Sequence, residues 1–524
     1  MAQAPNILFI MADQLRADYL GCNGHPSIKT PTIDKLAKEG VNFSRAYTQA
    51  PVCGPSRMSF YTGRYVSSHG ATYNNVPLKL SEQTLGDYLR PSGYRVALVG
   101  KTHMKNDAQG MTRLGIDPQS SRGVLAAQCG FEPYERDDGL HPDQHVSPDL
   151  AYNQYLRNLG FAGHNPWHEY ANSVEDDEGK VQSGWYMRNC DRPARIPEQY
   201  SETAYTTNRA IDFIDESAGQ PWCLHLSYIK PHWPYIAPAP YHNMYSADDI
   251  VDRNASQAEK ETDHPVITAF MGHMESQNFA HDEVRERVIP PYMGLISQID
   301  THIQRVIDHL KEIGEYENTI IVLTADHGDY LGDHWLGEKE LFHEASVRIP
   351  LIIHDPRTSA DKSRGSTDDR LVEAIDLVPT FLDLAGAKEC SHSLEGRSLM
   401  PVLIGEPQIP WREYAVSEAD YAWRNARKRL SLEPDQSRAA MICDTRWKYI
   451  HYEHFRPQLF DLLNDPQELH DLGEDPAQQV VRERMNNALY QWYRQRKNRS
   501  TIRNDSVEQQ TGKAHAKGYL FGVW

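Results

Sequence analysis

The 524-residue sequence lacks long hydrophobic runs and any pairing pattern among its cysteines. Its apolar N-terminal run, NILFIMA, has no basic segment before it and is too short for a signal-peptide core or a membrane span. The seven cysteines are odd in number and scattered, with no CxxC pair, which argues against a disulfide framework and for a reducing compartment. We therefore predict a cytoplasmic protein that does not contact membranes.

Positive charge is also scarce in this chain. The 54 Lys and Arg residues against 72 Asp and Glu residues give a formal net charge of −18 at pH 7, which speaks against nucleic acid as the main partner. A small anionic substrate is still compatible with this charge, because a local cluster of Lys, Arg and His can reverse the potential inside one pocket. The length and ordinary composition allow a large hydrophobic core.

Strand-like and helix-like segments alternate through most of the chain. Four apolar runs end in polar residues, as buried parallel strands do: PNILFIMAD, RVALVG, WCLHLSYI and TIIVLTAD. Helical periodicity appears between such runs, over residues 32–39, 82–90, 203–218 and 292–313. This alternation predicts an α/β fold, with a large, mostly parallel sheet flanked by helices.

Two segments interrupt the alternation, and the C-terminal part differs from the rest. Residues 104–198 and 236–285 show weak periodicity, which is typical of lids or binding loops. Short strands and turns dominate the last quarter of the chain. We predict an N-terminal α/β catalytic domain over residues 1–405, which contains both lid-like segments, and a smaller C-terminal α+β domain with an extended tail over residues 406–524.

Polar and charged residues directly follow four of the predicted strands. They are Asp13 with Gln14, Lys101 with His103, His232, and Asp326 with His327. Ligands of open parallel sheets bind outside the carboxyl ends of the strands. The sequence therefore predicts that these side chains converge at one edge of the sheet.

The chemistry of these residues falls into two groups. The first supplies oxygens and one imidazole, a ligand set for a divalent metal: Asp13, Gln14, Asp326 and His327. The second supplies positive charge and proton donors: Arg57, Lys101, His103, His232 and Lys339. A metal beside several cations can hold a tetrahedral oxyanion ester and stabilise charge on its leaving oxygen. These groups predict hydrolysis of a sulfate or phosphate-type ester.

Cys53 opens the stretch CGPSRMSFYTGR, with Pro55 near the first position of a predicted helix. Amides and dipole at a helix start favour an anion. Arg57 follows one helical turn later, a spacing that directs it back toward residue 53. A single cysteine is by default a buried structural residue. A cysteine-phosphatase loop is excluded, because it needs more than the three residues that separate Cys53 and Arg57 here.

The sequence resembles the sulfatases of the alkaline phosphatase superfamily. CGPSR followed by YTGR matches the sulfatase signature, C-x-P-S-R and then T-G. The resemblance extends over most of residues 5–475, through D-Q after the first strand, GKTH, P-H-x-P, ADHG, Lys339, DLVPTFLDLAG and LFDLLNDPQE. It implies an alkaline-phosphatase-like fold. It also implies that a formylglycine-generating enzyme, which reads C-x-P-x-R, converts Cys53 to formylglycine during maturation.

The resemblance further implies a set of residue roles. One divalent ion would be held by Asp13, Gln14, Asp326, His327 and the modified residue 53. The hydrated aldehyde at position 53 would attack sulfur, stabilised by Arg57. Lys101 and Lys339 would bind the sulfate oxygens, and Lys339 or His232 would protonate the leaving alcohol. His103 would then deprotonate the second hydroxyl, so that sulfate is expelled and the aldehyde restored.

Two departures from the commonest sulfatase pattern bear on metal and substrate. The pairs Asp13–Gln14 and Asp326–His327 stand where many sulfatases carry Asp-Asp and Asp-Asn. This variant resembles the branch that includes phosphonate monoester hydrolases, and its imidazole favours Mn²⁺ over Ca²⁺. GKTH keeps the lysine and histidine of the sulfatases. We therefore predict an arylsulfatase-like enzyme, with phosphonate monoester or phosphodiester hydrolysis as the alternative.

Other interpretations are compatible with parts of the pattern. A phosphodiesterase or mutase of the same fold would use Ser or Thr at position 53 and usually two metals. A non-catalytic anion-binding protein would not need every polar group of the site. A metal-dependent hydrolase in which Cys53 stays unmodified is not distinguished by sequence. The alcohol half of the substrate is not identified either. Chain size and the apolar end GYLFGVW lead us to expect a homodimer or homotetramer.

Overall fold

The computed structural model describes residues 4–139, 149–387, 392–406, 409–497, 499–520, 522 and 524. Its strands are β1 (Asn6–Asp13), β2 (Val41–Phe43), β3 (Ala46–Tyr47), β4 (Arg95–Gly100), β5 (Glu132–Arg136), β6 (Ser173–Glu175), β7 (Val181–Ser183), β8 (Trp222–Pro231), β9 (Thr319–Ala325), β10 (Arg348–Ile349), β11 (Leu351–His354), β12 (Ser366–Asp368), β13 (Val372–Glu373), β14 (Ala415–Asp420), β15 (Arg438–Cys443), β16 (Trp447–Tyr452) and β17 (Gln458–Asp461).

Helices lie between most of these strands. They are α1 (Pro31–Glu39), α2 (Cys53–Thr62), α3 (Val66–His69), α4 (Leu85–Leu89), α5 (Ala108–Leu114), α6 (Ser121–Ala126), α7 (Ala151–Asn158), α8 (Glu202–Glu216), α9 (Gln257–Lys260), α10 (Pro265–Met271), α11 (Met274–Phe279), α12 (Asp282–Glu312), α13 (Glu344–Val347), α14 (Leu377–Leu384), α15 (Met400–Leu403), α16 (Asn425–Arg429), α17 (Gln479–Arg494) and α18 (Asn504–Gln510).

The main sheet has eight strands in the order β12-β2-β11-β9-β1-β8-β4-β5. Its strands pair in parallel except at β11, which runs antiparallel to both β2 and β9. The central strands β1, β8 and β9 are buried along their whole length, because helices cover both faces of the sheet. The predicted α/β class with a mostly parallel sheet is confirmed. The carboxyl ends of β1, β4, β8 and β9 lie at one edge.

The segment 104–198, predicted to be lid-like, contributes to the sheet. Its strand β5 pairs with β4 and forms the edge of the main sheet, and α6 packs against it. The strand is short and only half-buried, so its sequence carries no continuous apolar run. Residues 140–148 of this segment lie outside the described residues. The role of the segment as a lid remains a prediction.

Helix α12 is longer than its predicted extent of 292–313. It begins at Asp282 and continues through Pro290 and Pro291. Both prolines lack an amide hydrogen, which is why sequence reasoning placed the helix start after them. The apolar side of α12 packs against β8 and α8, and this packing outweighs the lost hydrogen bonds.

A second, antiparallel sheet with the order β14-β15-β16-β17 forms the C-terminal part, and α17 covers one of its faces. This sheet confirms the smaller C-terminal α+β unit of the predicted fold class. Its side chains share a buried cluster with residues of the N-terminal part, including Tyr47, Tyr330, Met441 and Ile450. The two parts are therefore packed on a common core, and a domain boundary at residue 405 remains a prediction.

The helices and the cysteines can be compared with the predictions about membranes and disulfides. None of the helices in the described ranges is both long and apolar enough to cross a bilayer. The cysteines within those ranges are all free thiols. Cys390 lies outside the described residues.

Candidate active site

Helix α2 places Cys53 at its first position, directly after the extended residue Val52. The amide of Gly54 donates to Asn74 Oδ1 at 2.8 Å, and a Cβ atom at position 54 would lie only 2.8 Å from that oxygen. The hydroxyl of Ser56 donates to the carbonyl oxygen of Asp326 at 2.6 Å. The start of the helix is thus fixed against both the loop that holds Asn74 and the end of β9.

Four potential metal ligands converge around the thiol of Cys53. The Cys53 sulfur lies 3.1 Å from Nε2 of His327 and 3.8 Å from Oδ1 of Asp13. Together with Asp326, these residues offer ligand atoms that all lie within 4.8 Å of one another, and all four are buried. Metal–oxygen and metal–nitrogen bonds of about 2.0–2.6 Å let one divalent ion reach such a set.

Arg57 is completely buried and bridges the carboxyl ends of several strands. Its Nε donates to Asp326 Oδ2 at 2.8 Å and its Nη2 to Asp13 Oδ2 at 3.1 Å. Its Nη1 donates to Ser227 Oγ at 2.8 Å and to the carbonyl oxygen of Lys101 at 2.7 Å. The guanidinium therefore orients both carboxylates of the ligand cluster and balances their charge.

Two lysines bring further positive charge to the same place. The ammonium of Lys101 lies 2.6 Å from Asp13 Oδ2. The ammonium of Lys339 donates to Gln14 Oε1 at 2.8 Å and lies 3.1 Å from His232 Nε2. Burial alone would lower the pKa of each lysine, but the neighbouring anionic groups raise both pKa values above the ordinary one. Both side chains are therefore cationic.

The electrostatics of position 53 favour an anion. Burial would raise the pKa of the Cys53 thiol, but Lys339, Lys101 and His327 lower it well below its ordinary value. Burial likewise would lower the pKa of His327, but the Asp326 carboxylate and the Cys53 sulfur raise it to about 9. A negatively charged group bound at this place would meet the same cations.

His232 is held in its neutral form. Burial and the ammonium of Lys339 lower its pKa to about 3. Its Nδ1 lies 2.8 Å from the carbonyl oxygen of Trp233, which can only accept, so the ring proton sits on Nδ1. Nε2 therefore accepts a hydrogen bond from Lys339.

His103 occupies a left-handed backbone conformation with φ of 52°. Its amide donates to Asp138 Oδ1 at 3.0 Å, which fixes the turn after β4. The ring of His103 also contributes to the lowering of the Cys53 pKa. Within the described part of the chain, the buried Nδ1 of His103 has no hydrogen-bond partner.

The structure brings all the residues singled out from the sequence to one site, linked by the contacts above: Asp13, Gln14, Cys53, Arg57, Lys101, His103, His232, Asp326, His327 and Lys339. Sequence reasoning missed Asn74, Ser227 and Asp329, which contact Gly54, Arg57 and Gln14. Ser227 lies near the carboxyl end of β8, so the criterion of polar residues near strand ends could have identified it. Asn74 and Asp329 lie on loops, where no periodicity points to them.

Comparisons with known proteins identify the family of this chain. The family model described as sulfatase matches residues 5–387, and the model described as N-sulphoglucosamine sulphohydrolase, C-terminal, matches residues 332–495. The multifunctional alkaline phosphatase superfamily protein PehA of Trinickia caryophylli is 32% identical over 494 residues, which cover 90% of this chain and 92% of that protein. An arylsulfatase of Clostridium perfringens is 30% identical, over 89% of this chain and 90% of its own length.

Solved structures give the same fold. The phosphonate monoester hydrolase SpPMH from Silicibacter pomeroyi superimposes with a TM-score of 0.82 at 29% identity, over 95% of this chain and 97% of that chain. The phosphonate monoester hydrolase of Agrobacterium radiobacter gives a TM-score of 0.80 at 27% identity, with coverage of 94% and 96%. The chain belongs to the sulfatase family of the alkaline phosphatase superfamily. The predicted fold class is confirmed, as is the predicted enzyme class of sulfuric ester hydrolase.

Proposed function

We propose that this protein hydrolyses sulfate monoesters of the aryl sulfate type, with formylglycine at position 53 and one divalent ion. One observation carries the proposal. The Cys53 sulfur, at the start of a buried helix, lies 3.1 Å from His327 Nε2 and 3.8 Å from Asp13 Oδ1, inside a cluster of potential metal ligands. The formylglycine of this family would supply a hydroxyl nucleophile where that sulfur now lies.

The divalent ion would be held by Asp13, Gln14, Asp326, His327 and the modified residue 53. The donor set fits such an ion, because its carboxylate, imidazole and sulfur atoms all lie within 4.8 Å of one another. The imidazole favours Mn²⁺ over Ca²⁺. When bound, the ion supplies Lewis-acid polarisation of the ester oxygens.

Lys101 and Lys339 bind the oxygens of the sulfate group. Both are buried and cationic, so they stabilise the negative charge that develops in the transition state in a site of low dielectric. Arg57 is already fully engaged with Asp13 and Asp326. It therefore acts on the nucleophile by holding these two carboxylates in place.

Proton transfer is divided between Lys339 and His103. His232 is neutral and carries its proton on Nδ1, toward Trp233, so its Nε2 accepts from Lys339 and directs the ammonium. We therefore assign protonation of the leaving alcohol to Lys339 rather than to His232. His103, whose ring acts on the pKa of the Cys53 thiol and whose Nδ1 has no hydrogen-bond partner among the described residues, removes the proton that allows sulfate to leave.

A stacked aromatic pair, connected to the site through Glu340 and Asn74, supports an aryl alcohol half. The rings of Tyr73 and Trp423 stack with centroids 6.2 Å apart and planes at 12°. Tyr73 is held by a 2.7 Å hydrogen bond to Glu340, which neighbours Lys339, and it precedes Asn74, which contacts Gly54. Trp423 is 64% exposed and so is available to a flat leaving group.

Hydrolysis of phosphonate monoesters or phosphodiesters is the second candidate. It is supported by the pairs Asp13–Gln14 and Asp326–His327 and by the similarity to two phosphonate monoester hydrolases. Lys101 and His103 favour sulfate. Lys101 and Lys339 are two buried cations, and with His103 as the base they suit the release of a fully ionised, weakly basic sulfate from residue 53.

The test has two stages and uses protein made in a host with the formylglycine-generating enzyme. Peptide mass spectrometry across residues 46–57 is expected to find an aldehyde in place of the thiol, trapped by a hydrazine reagent. The converted enzyme is then assayed on 4-nitrophenyl sulfate and on a 4-nitrophenyl phosphonate monoester, with Cys53→Ser as the control. We expect a higher kcat/KM for the sulfate. An intact, alkylatable thiol in active enzyme would contradict the mechanism, and a higher kcat/KM for the phosphonate would favour the second candidate.

A further inference from the structure

The side-chain amide of Gln14 can serve a cation in only one of its two orientations. Its carbonyl oxygen has lone pairs, whereas its NH₂ group is a donor. The two groups are nearly identical in shape, so their neighbours decide which one faces the site. In this structure Oε1 faces the ammonium of Lys339 at 2.8 Å.

The opposite side of the amide is occupied by Asp329. Gln14 Nε2 donates to Asp329 Oδ2 at 2.5 Å, and the hydroxyl of Tyr235 donates to the same oxygen at 2.6 Å. The other oxygen of Asp329 accepts from the amide of Leu331 at 3.1 Å. Asp329 and Tyr235 are both buried, so water does not replace these contacts.

The backbone of Gln14 is fixed as well. Its φ of 64° lies in the left-handed region, which is strained for a residue with a side chain. Its amide donates to Asp326 Oδ1 at 3.1 Å, and its carbonyl oxygen accepts from the hydroxyl of Tyr292 at 2.8 Å. Backbone contacts therefore set the position of Gln14. Its side-chain neighbours determine only the orientation of its side-chain amide.

We propose that Asp329, supported by Tyr235, is a positioning residue that turns the carbonyl oxygen of Gln14 toward the divalent ion. A flipped amide would bring Oε1 against the Asp329 carboxylate and the NH₂ group against the Lys339 ammonium, so that both contacts would be repulsive. This inference rests on the metal site of the proposed function. Asp329 does not itself contact the ion, but it determines whether the carbonyl oxygen of Gln14 can bind it.

The experiment measures Mn²⁺ binding by titration calorimetry at fixed pH, on metal-stripped protein whose Cys53 is unconverted. Asp329→Asn offers one acceptor oxygen in place of two, so either Gln14 or Leu331 loses its partner. We expect its Kd for Mn²⁺ to rise about 10-fold, the lower part of the range for residues that orient metal ligands. Tyr235→Phe, a milder change, is expected to shift Kd in the same direction. The control is Asp300→Asn, a buried carboxylate that bonds to the amides of α1, and its Kd should match that of the wild type.

A rescue variant separates positioning from a general structural role. Gln14→Glu places a carboxylate against Asp329 and is expected to weaken Mn²⁺ binding. Adding Asp329→Asn should then restore part of the affinity, because the new amide can donate to Glu while turning the other carboxylate oxygen to the ion. Loss of stability alone would not produce this reversal.

Two outcomes overturn the inference: folded Asp329→Asn and Tyr235→Phe proteins that bind Mn²⁺ like the wild type, or a wild type that binds no Mn²⁺. Failure of the proposed function gives a different result. In that case the wild type hydrolyses no sulfate or phosphonate ester after conversion, while Asp329→Asn still weakens Mn²⁺ binding.

Discussion

In the proposed mechanism, the hydrogen bond between Lys339 and His232 decides which of the two residues supplies the proton for the leaving group. The Nδ1 proton of His232 points to Trp233, so its Nε2 can only accept from the lysine. The lysine is cationic and the histidine is neutral, since burial acts together with Lys339 to lower the histidine pKa to about 3. The two residues are therefore assigned unequal roles in that mechanism, although both are basic side chains.

Replacing Lys339 by Ala is expected to lower kcat/KM about 10²–10⁴-fold, the usual contribution of a positioned proton donor. The loss should be greatest for aryl sulfates with poor leaving groups, because these depend most on protonation of the leaving oxygen. His232→Gln keeps an acceptor for Lys339 and should cost far less. The measurement is the slope of log kcat/KM against leaving-group pKa, which should steepen for Lys339→Ala. Equal slopes in both variants and the wild type would argue against this assignment.

At the scale of elements, the long helix α12 anchors the start of α1 through one buried carboxylate. Asp300 accepts from the amides of Thr32 at 3.2 Å and Ile33 at 2.8 Å, which are first-turn amides of α1. The N-cap residue Thr30 provides no side-chain cap of its own. Asp300 thus serves as a cap from a distant part of the chain. Burial raises its pKa to about 6, although these hydrogen bonds act in the opposite direction.

This raised pKa gives a pH dependence of stability with a defined sign. The folded state binds the Asp300 proton more tightly than the unfolded state, so the contribution is fully present below the unfolded pKa of about 4 and is lost as pH rises through 6. The shift corresponds to about 3 kcal/mol. As the pH rises from 4 to 7, the free energy of unfolding of Asp300→Asn should therefore increase by about 3 kcal/mol relative to that of the wild type. Urea unfolding at each pH measures this difference. Parallel pH profiles for the two proteins would contradict it.

At the scale of the whole molecule, the C-terminal part contacts residues that are next in the chain to Asn74 and Lys339. Trp423 lies between β14 and β15 and stacks on Tyr73, which belongs to the loop after α3. Arg424, next in the chain, pairs with Glu340, the residue after Lys339, at 2.6 Å. The joint core of the two parts holds this arrangement in place.

Trp423→Ala is expected to raise KM for 4-nitrophenyl sulfate several-fold and to leave kcat nearly unchanged, because the indole binds the aryl group without taking part in bond cleavage. KM for a short alkyl sulfate should change little. The measurement is therefore the change in KM for the aryl sulfate compared with the change for the alkyl sulfate. Val480→Ala, at another exposed apolar residue on α17, serves as the control. Equal changes for aryl and alkyl sulfates would show that Trp423 does not read the leaving group.

The sequence by itself determined the central strands, the residues at their carboxyl ends and the sulfatase signature at Cys53. Buried strands are continuous apolar runs, and their ends are marked by abrupt polarity, so each is visible locally. The candidate metal ligands Asp13, Gln14, Asp326 and His327 lie at those ends, as do Lys101 and His232, whereas Arg57 and Lys339 do not. The edge strand β5 and the start of α12 were not visible in this way, since the first is only half-buried and the second contains prolines.

Only the tertiary structure decided how these residues act on one another. Asp329 reaches Gln14 across 315 positions of sequence, and Lys339 reaches His232 across 107. Three features need atoms placed to within a few tenths of an ångström. They are the hydrogen-bond direction at His232, the amide orientation of Gln14 and the contact of Asn74 with Gly54. No local pattern encodes such distances, because they arise when separate elements pack on a shared core.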